Sequence, residues 1–157
     1  MSDLKLLLDF VYENESQYSN KPWMTQPIAG GQVVEYTWKQ GVDQARRMAA
    51  YLKSLDFEPG SKIAIISKNC AHFILSELAI WMAGHTSVAL YPTVNAETAE
   101  YVLEHSDSKL VFVGKLDTWD EIEPGVDKNL PRIAFPLAPS NTYPQWDDII
   151  AQTAPLE

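Results

Sequence analysis

The chain has 157 residues, 46% of them apolar, and 21 acidic against 12 basic side chains leave a net charge of −9. A chain of this length buries roughly 70% of its unfolded surface, so it needs neither a metal nor a disulfide as a staple. The one cysteine, Cys70, excludes an internal disulfide framework and a CxxC zinc site.

So acidic a surface repels phosphate backbones and anionic lipid, which argues against nucleic acid as a partner. No run approaches the roughly 20 apolar residues of a membrane-spanning helix. The N-terminus has no basic n-region, and Asp9 interrupts its apolar run, so it does not read as a secretory signal. A cytoplasmic single α/β domain over residues 1–157, with an irregular proline-bearing tail at 136–157, is the expectation.

In chain order, Leu4, Leu7, Leu8 and Val11 fall at i, i+3, i+4 and i+7 and predict a helix from Asp3 to Tyr18. Its apolar face can pack on the chain's own core, on a partner or on a bilayer; Asp3, Asp9, Glu13 and Glu15 disfavour the bilayer. Met24–Ile28 and Gln32–Thr37 read as hairpin arms around Ala29-Gly30-Gly31, which supplies positive φ angles. Thr37 and Gln40 form a capping box ahead of a helix from Trp38 to Leu55. Val42, Ala45, Met48, Ala49, Leu52 and Leu55 make its apolar stripe, and Lys39, Asp43, Arg46, Arg47 and Lys53 its polar face.

From Lys62 onward short apolar runs recur at intervals of about 23 or 24 residues: Lys62–Ile66, Thr86–Leu90, Lys109–Val113 and Arg132–Phe135. Such runs mark strands covered on both faces. Between them lie helix candidates Ala71–Ala83, closed by Gly84, then Ala96–His105 behind Asn95, and the weaker Leu116–Ile122. Alternation of this kind implies crossovers and a mostly parallel sheet with flanking helices. Gln145–Ala151 is the one helical candidate of the tail.

Chemistry is sparse. None of the seven glycines makes a G-x-G-x-x-G or a Walker loop. The turn Ser67-Lys68-Asn69-Cys70 places a hydroxyl, an amide and a cation before a helix, which is either an anion site or simply a helix cap from Ser67 or Asn69. Cys70 and His72 read as a small thiol and a surface histidine rather than a nucleophile and its base. His85 and His105 sit at helix ends, where a cation complements the dipole. The acids from Asp117 to Glu123 read as a solvated face, the five tryptophans as packing anchors. No cluster predicts a metal site or a catalytic residue.

The wording of the chain carries more. Tyr36-Thr37-Trp38, Ala45–Ala49, Pro59–Ala64, Ser67–Ala71, Leu78–His85, Leu90-Tyr91-Pro92-Thr93, Tyr101–Ser106 and Lys109–Asp117 follow one another over the span from Tyr36 to Ile150. In that order they resemble the beginning of AMP-forming acyl-CoA synthetases of the long-chain fatty-acid type, in the adenylate-forming superfamily. Trp81–His85 and Leu103–Ser106 favour the fatty-acid branch over aryl-acid or amino-acid activators.

The resemblance implies fatty-acid activation by ATP to acyl-AMP and transfer to CoA, with Mg2+. It implies that the phosphate loop, the acid holding Mg2+ and the catalytic Lys follow Glu157, so that this chain binds no cofactor and is inactive alone. It implies that Tyr91, Pro92 and Thr93 lie near the acyl and pantetheine tunnel. The implied partner is the remainder of the synthetase, in a parent enzyme compatible with a peripheral seat at a membrane; separately, apolar faces or strand edges left open by this stretch predict a homodimer through the first helix or a strand edge. The alternative is a stand-alone, non-catalytic interaction or dimerisation module built from that subdomain.

Overall fold

A computed structural model describes residues 4–157. Four parallel strands in the order β4-β3-β5-β6 form the central sheet: β3 (Lys62–Ile66), β4 (Thr86–Leu90), β5 (Leu110–Val113) and β6 (Arg132–Ala134). Alternation along β3 divides the core. Ile63 and Ile65 face a layer made with α2 (Trp38–Ser54), α3 (Ala71–Met82) and α6 (Trp146–Gln152). Ala64 and Ile66 face the opposite layer, made with α4 (Ala96–Ser106) and the single turn α5 (Trp119–Ile122). A helix layer on each face is what a parallel sheet requires.

The capping box forms as read: Thr37 Oγ1 accepts from the Gln40 amide at 3.2 Å, and Gln40 Oε1 accepts from the Thr37 amide at 3.0 Å. Val42, Ala45, Met48, Ala49 and Leu52 of α2 are fully buried. Gly41 is buried as well, because the Trp23 ring lies where its Cβ would be, at 2.6 Å. Trp23 in turn stacks on Trp38 with centroids 4.4 Å apart. The two rings therefore seat the antiparallel hairpin β1 (Pro22–Pro27) and β2 (Val33–Thr37) on α2. Gly30 and Gly31 take φ of +76° and +72° in its turn, as expected. Asn95 Oδ1 accepts from the Thr98 amide at 2.8 Å and starts α4. The His85 amide donates to the Ile80 carbonyl at 3.0 Å, closing α3 past Gly84.

Two expectations are corrected. The first helix, α1, spans Leu7–Tyr18; it opens where the Leu6 amide donates to the Asp9 carboxylate at 2.7 Å, and Asp3 lies outside the described residues. Leu8 and Val11 pack on the core, but Leu4 and Leu7 are exposed at 87% and 66%. Rotation about the start at Leu7 turns only part of the apolar stripe inward, and the Glu15–Arg46 pair at 3.0 Å fixes that rotation. Second, β4 is not covered on both faces: it is an edge strand with Val88 half-buried and Ala89 exposed. The helical candidate Gln145–Ala151 of the tail folds as α6 and reaches the core. Trp146 is completely buried, and its Nε1 donates to Gln44 Oε1 at 3.0 Å.

The fold assigns opposite consequences to two changes on α2. Met48→Asp places an unpaired charge in the core and is expected to remove at least about 4 kcal/mol of stability. Lys53→Asp, at an exposed position, should stay within about 0.5 kcal/mol. Chemical denaturation of both variants checks the assignment.

Candidate functional site

In open α/β sheets, ligands gather at the carboxyl ends of the strands. Here that edge comprises the loops Ser67–Cys70 after β3, Tyr91–Asn95 after β4 and Gly114–Thr118 after β5. The first and third are interlocked. Ser67, 3% exposed, donates its hydroxyl hydrogen to the Lys68 carbonyl at 2.7 Å and accepts from the Lys115 amide at 3.0 Å. The Lys68 amide donates to the Lys115 carbonyl at 2.8 Å, and the Lys68 ammonium pairs with the Asp117 carboxylate. Residue 114 must be glycine for this approach: a Cβ there would lie 2.2 Å from Ser67 Oγ and 2.7 Å from Phe135 Cδ2.

The α3 N-terminus is capped neither by Ser67 nor by Asn69. Gln26, buried on β1, reaches across, and its Oε1 accepts from the Ala71 amide at 2.8 Å. This corrects the helix-cap reading of the Ser67–Cys70 turn. The Ala71 amide is satisfied and the Lys68 charge is paired within the chain, which makes the turn a structural joint.

Behind the joint, His72 is 3% exposed and not a surface residue. Its ring sits among Tyr36 of β2, Phe135 after β6 and Trp146 of α6, at centroid separations of 5.9, 5.8 and 5.3 Å. Burial lowers its pKa to about 4, and its Nε2 has no protein partner. The dipole reading of His85 is also corrected. Burial, and then the nearby Lys53 charge, lower its pKa, which disfavours the cation that a dipole role would need. Tyr36 closes the cluster; burial first, then Asp147 and Cys70, raise its phenol pKa. Cys70 is a half-buried free thiol 3.6 Å from Ser67 Oγ.

The sequence-derived site residues Tyr91, Pro92 and Thr93 stand beside the interlocked loops, on the turn between edge strand β4 and α4. Tyr91 is 81% exposed, and its carbonyl accepts from the Val94 amide at 3.2 Å. The turn thus holds the tyrosine outward, and no described side chain locks it. Gln26, Gly114 and the His72 cluster carried no signal in the sequence, because each acts through residues far along the chain. Among the described residues, no three His, Cys, Asp or Glu side chains come together as a metal-ligand set.

A model of the family described as AMP-binding enzyme matches residues 11–148. The chain belongs to that family. Long chain acyl-CoA synthetase 2 of Arabidopsis thaliana is 28% identical over 116 residues, covering 71% of this chain and 17% of that protein. Acetate/butyrate--CoA ligase AAE7, peroxisomal, from the same plant is 34% identical over 79 residues, covering 50% of this chain and 14% of that protein. Among solved structures, a benzoate CoA ligase from Burkholderia xenovorans LB400 superposes with a TM-score of 0.78 at 18% identity, over 98% of this chain and 29% of that one. The α/β fold with its parallel sheet is thus the fold of part of a CoA ligase. The chain spans less than a fifth of the length of those two curated relatives. No helix among the described residues is long and apolar enough to cross a membrane.

His72 gives the site a pH signature. A group whose folded pKa of about 4 lies below its ordinary 6.5 binds fewer protons folded than unfolded between those values. Stability is therefore full above pH 6.5 and falls as pH drops toward 4, by roughly 3 kcal/mol in total. Denaturant titrations from pH 7 to 4 should show a shallower loss for His72→Phe than for the wild type.

Proposed function

We propose that this chain is the opening α/β part of a cytoplasmic, ATP-dependent, AMP-forming fatty-acid–CoA ligase. In that reaction a fatty-acid carboxylate displaces diphosphate from ATP to give acyl-AMP, and the CoA thiol then displaces AMP to give the thioester. The observation that carries the proposal is the family match over residues 11–148. The long-chain substrate is supported by the wording of Trp81–His85 and Leu103–Ser106, and by the similarity to a long-chain acyl-CoA synthetase.

In this reading the residues present are scaffold and wall, and none is catalytic. ATP, Mg2+ and CoA are held mainly by parts of the enzyme outside this chain. The interlocked loops at Ser67 and Gly114 make a rigid floor, and Tyr91, Pro92 and Thr93 border the path of the acyl chain or pantetheine arm. An exposed tyrosine on a short turn suits that place: it offers an apolar ring with a polar tip and owes nothing to the core.

The test uses diphosphate release. The complete enzyme carrying this chain is expected to release diphosphate with palmitate in preference to benzoate or acetate, and the isolated chain to release none. Tyr91→Ala in the complete enzyme should raise KM for fatty acid or CoA by about tenfold, equivalent to ~1.4 kcal/mol, with KM for ATP unchanged. Palmitate-dependent release by the isolated chain, or a preference for benzoate or acetate, contradicts the proposal.

A further inference from the structure

In the layer that holds α4 and α5, two stretches of backbone touch. Gly125, the buried last residue of a 3-10 turn at Glu123–Gly125, lies against Ala96, the first residue of α4. A Cβ on Gly125 would stand 1.9 Å from the Ala96 carbonyl oxygen and 2.6 Å from its carbon. An ordinary carbon–oxygen contact is roughly 3.3 Å, so any side chain here must part the two segments by more than about 1 Å. The three nearest atoms are all main chain, and no change of rotamer relieves the clash.

The two sides of the contact are held unequally. Behind Gly125, the Arg132 guanidinium donates to three main-chain carbonyls, those of Val126 at 3.0 Å, Asp127 at 3.1 Å and Leu130 at 2.9 Å. The same guanidinium lies 5.6 Å from the centre of the Tyr143 ring, whose hydroxyl donates to Glu123 Oε1 at 2.7 Å. Ile122 and Val126, which flank the turn, are buried. A planar fork bonded to three carbonyls is a brace, so the Gly125 side does not yield. The α4 side is lighter. Its Asn95 cap accepts from the Thr98 and Ala99 amides and moves with the helix. Ahead of the cap, the Tyr91-Pro92-Thr93 turn is closed by the bond from the Val94 amide to the Tyr91 carbonyl, with the Tyr91 ring exposed. A displacement of the first turn of α4 is therefore passed on to Tyr91.

We propose that Gly125, braced by Arg132, is a positioning residue for the Tyr91-Pro92-Thr93 turn. By admitting the start of α4 into direct contact with the braced turn, it fixes where Tyr91 stands at the carboxyl edge of the sheet. Its effect on the reaction rests on the proposed place of Tyr91 beside the acyl or pantetheine path; its hold on the turn does not.

Hydrogen exchange and steady-state kinetics on the complete enzyme carrying this chain test the two halves separately. Gly125→Ala should speed exchange over residues 91–99 about tenfold and leave residues 62–66 of β3 unchanged. It should raise KM for fatty acid or CoA about fivefold, with kcat and KM for ATP retained. Added to Tyr91→Ala, it should change that KM by less than about twofold, because both act through one side chain. Arg132→Lys keeps the charge but not the fork, and it should give the same pattern; if Gly125→Ala fails to fold, this variant decides. Localised exchange with no KM effect of Tyr91→Ala would support the hold on the turn and refute the place given to Tyr91. Exchange unchanged over 91–99 or raised equally over 62–66 would overturn the proposal. So would KM effects of the two substitutions that multiply, or a KM unmoved by Gly125→Ala where Tyr91→Ala raises it.

Discussion

The carboxyl edge of this sheet depends on one missing methyl group. With hydrogen at the Cα of residue 114, β5 leaves the sheet close enough to β3 for the Ser67 hydroxyl to reach the Lys115 amide and for Phe135 to close over both. Any side chain there separates the two loops, and with them the main-chain bond from Lys68 to Lys115 and the Lys68–Asp117 pair. The same device recurs lower in the fold, where a Cβ on Gly125 would lie 1.9 Å from the Ala96 carbonyl oxygen at the start of α4. Both glycines keep φ outside the left-handed region, so they serve close approach and not turn geometry.

The same joint ties up two groups of the most nucleotide-like turn of the chain. A helix N-terminus binds anions only when its amides are free. Here Gln26 takes the Ala71 amide and Asp117 takes the Lys68 charge, so the joint is satisfied internally and rigid. A fixed wall lowers the entropy lost on positioning a bound molecule, which is the role the proposed function gives this joint. The exposed Tyr91 turn lies outside the hydrogen bonds of that joint.

Local signals made the skeleton legible. The Thr37–Gln40 box, the Asn95 cap, the Gly30-Gly31 turn and the four apolar runs are each determined within a few residues, and each was readable as sequence. What escaped is long-range. The burial of His72 among Tyr36, Phe135 and Trp146 joins three distant segments. The position of β4 at the edge is a property of strand order, to which its composition is blind. The rotation of α1 is set by the Glu15–Arg46 contact and not by its apolar stripe alone. The Tyr91-Pro92-Thr93 turn was reached through resemblance, and spacing alone would not have singled it out.

The interlock at residue 114 is best tested by a double-mutant cycle on the isolated chain, measured by urea denaturation with Gly114→Ala, Ser67→Gly and the pair. Overpacking of this severity predicts that Gly114→Ala alone removes about 2 kcal/mol or more. Because the nearest clash is with Ser67, the pair should be less destabilised than the sum of the single changes by about 1 kcal/mol or more. A Gly114→Ala variant within about 0.5 kcal/mol of wild type, or strictly additive changes, would contradict the account of a carboxyl edge welded at that point.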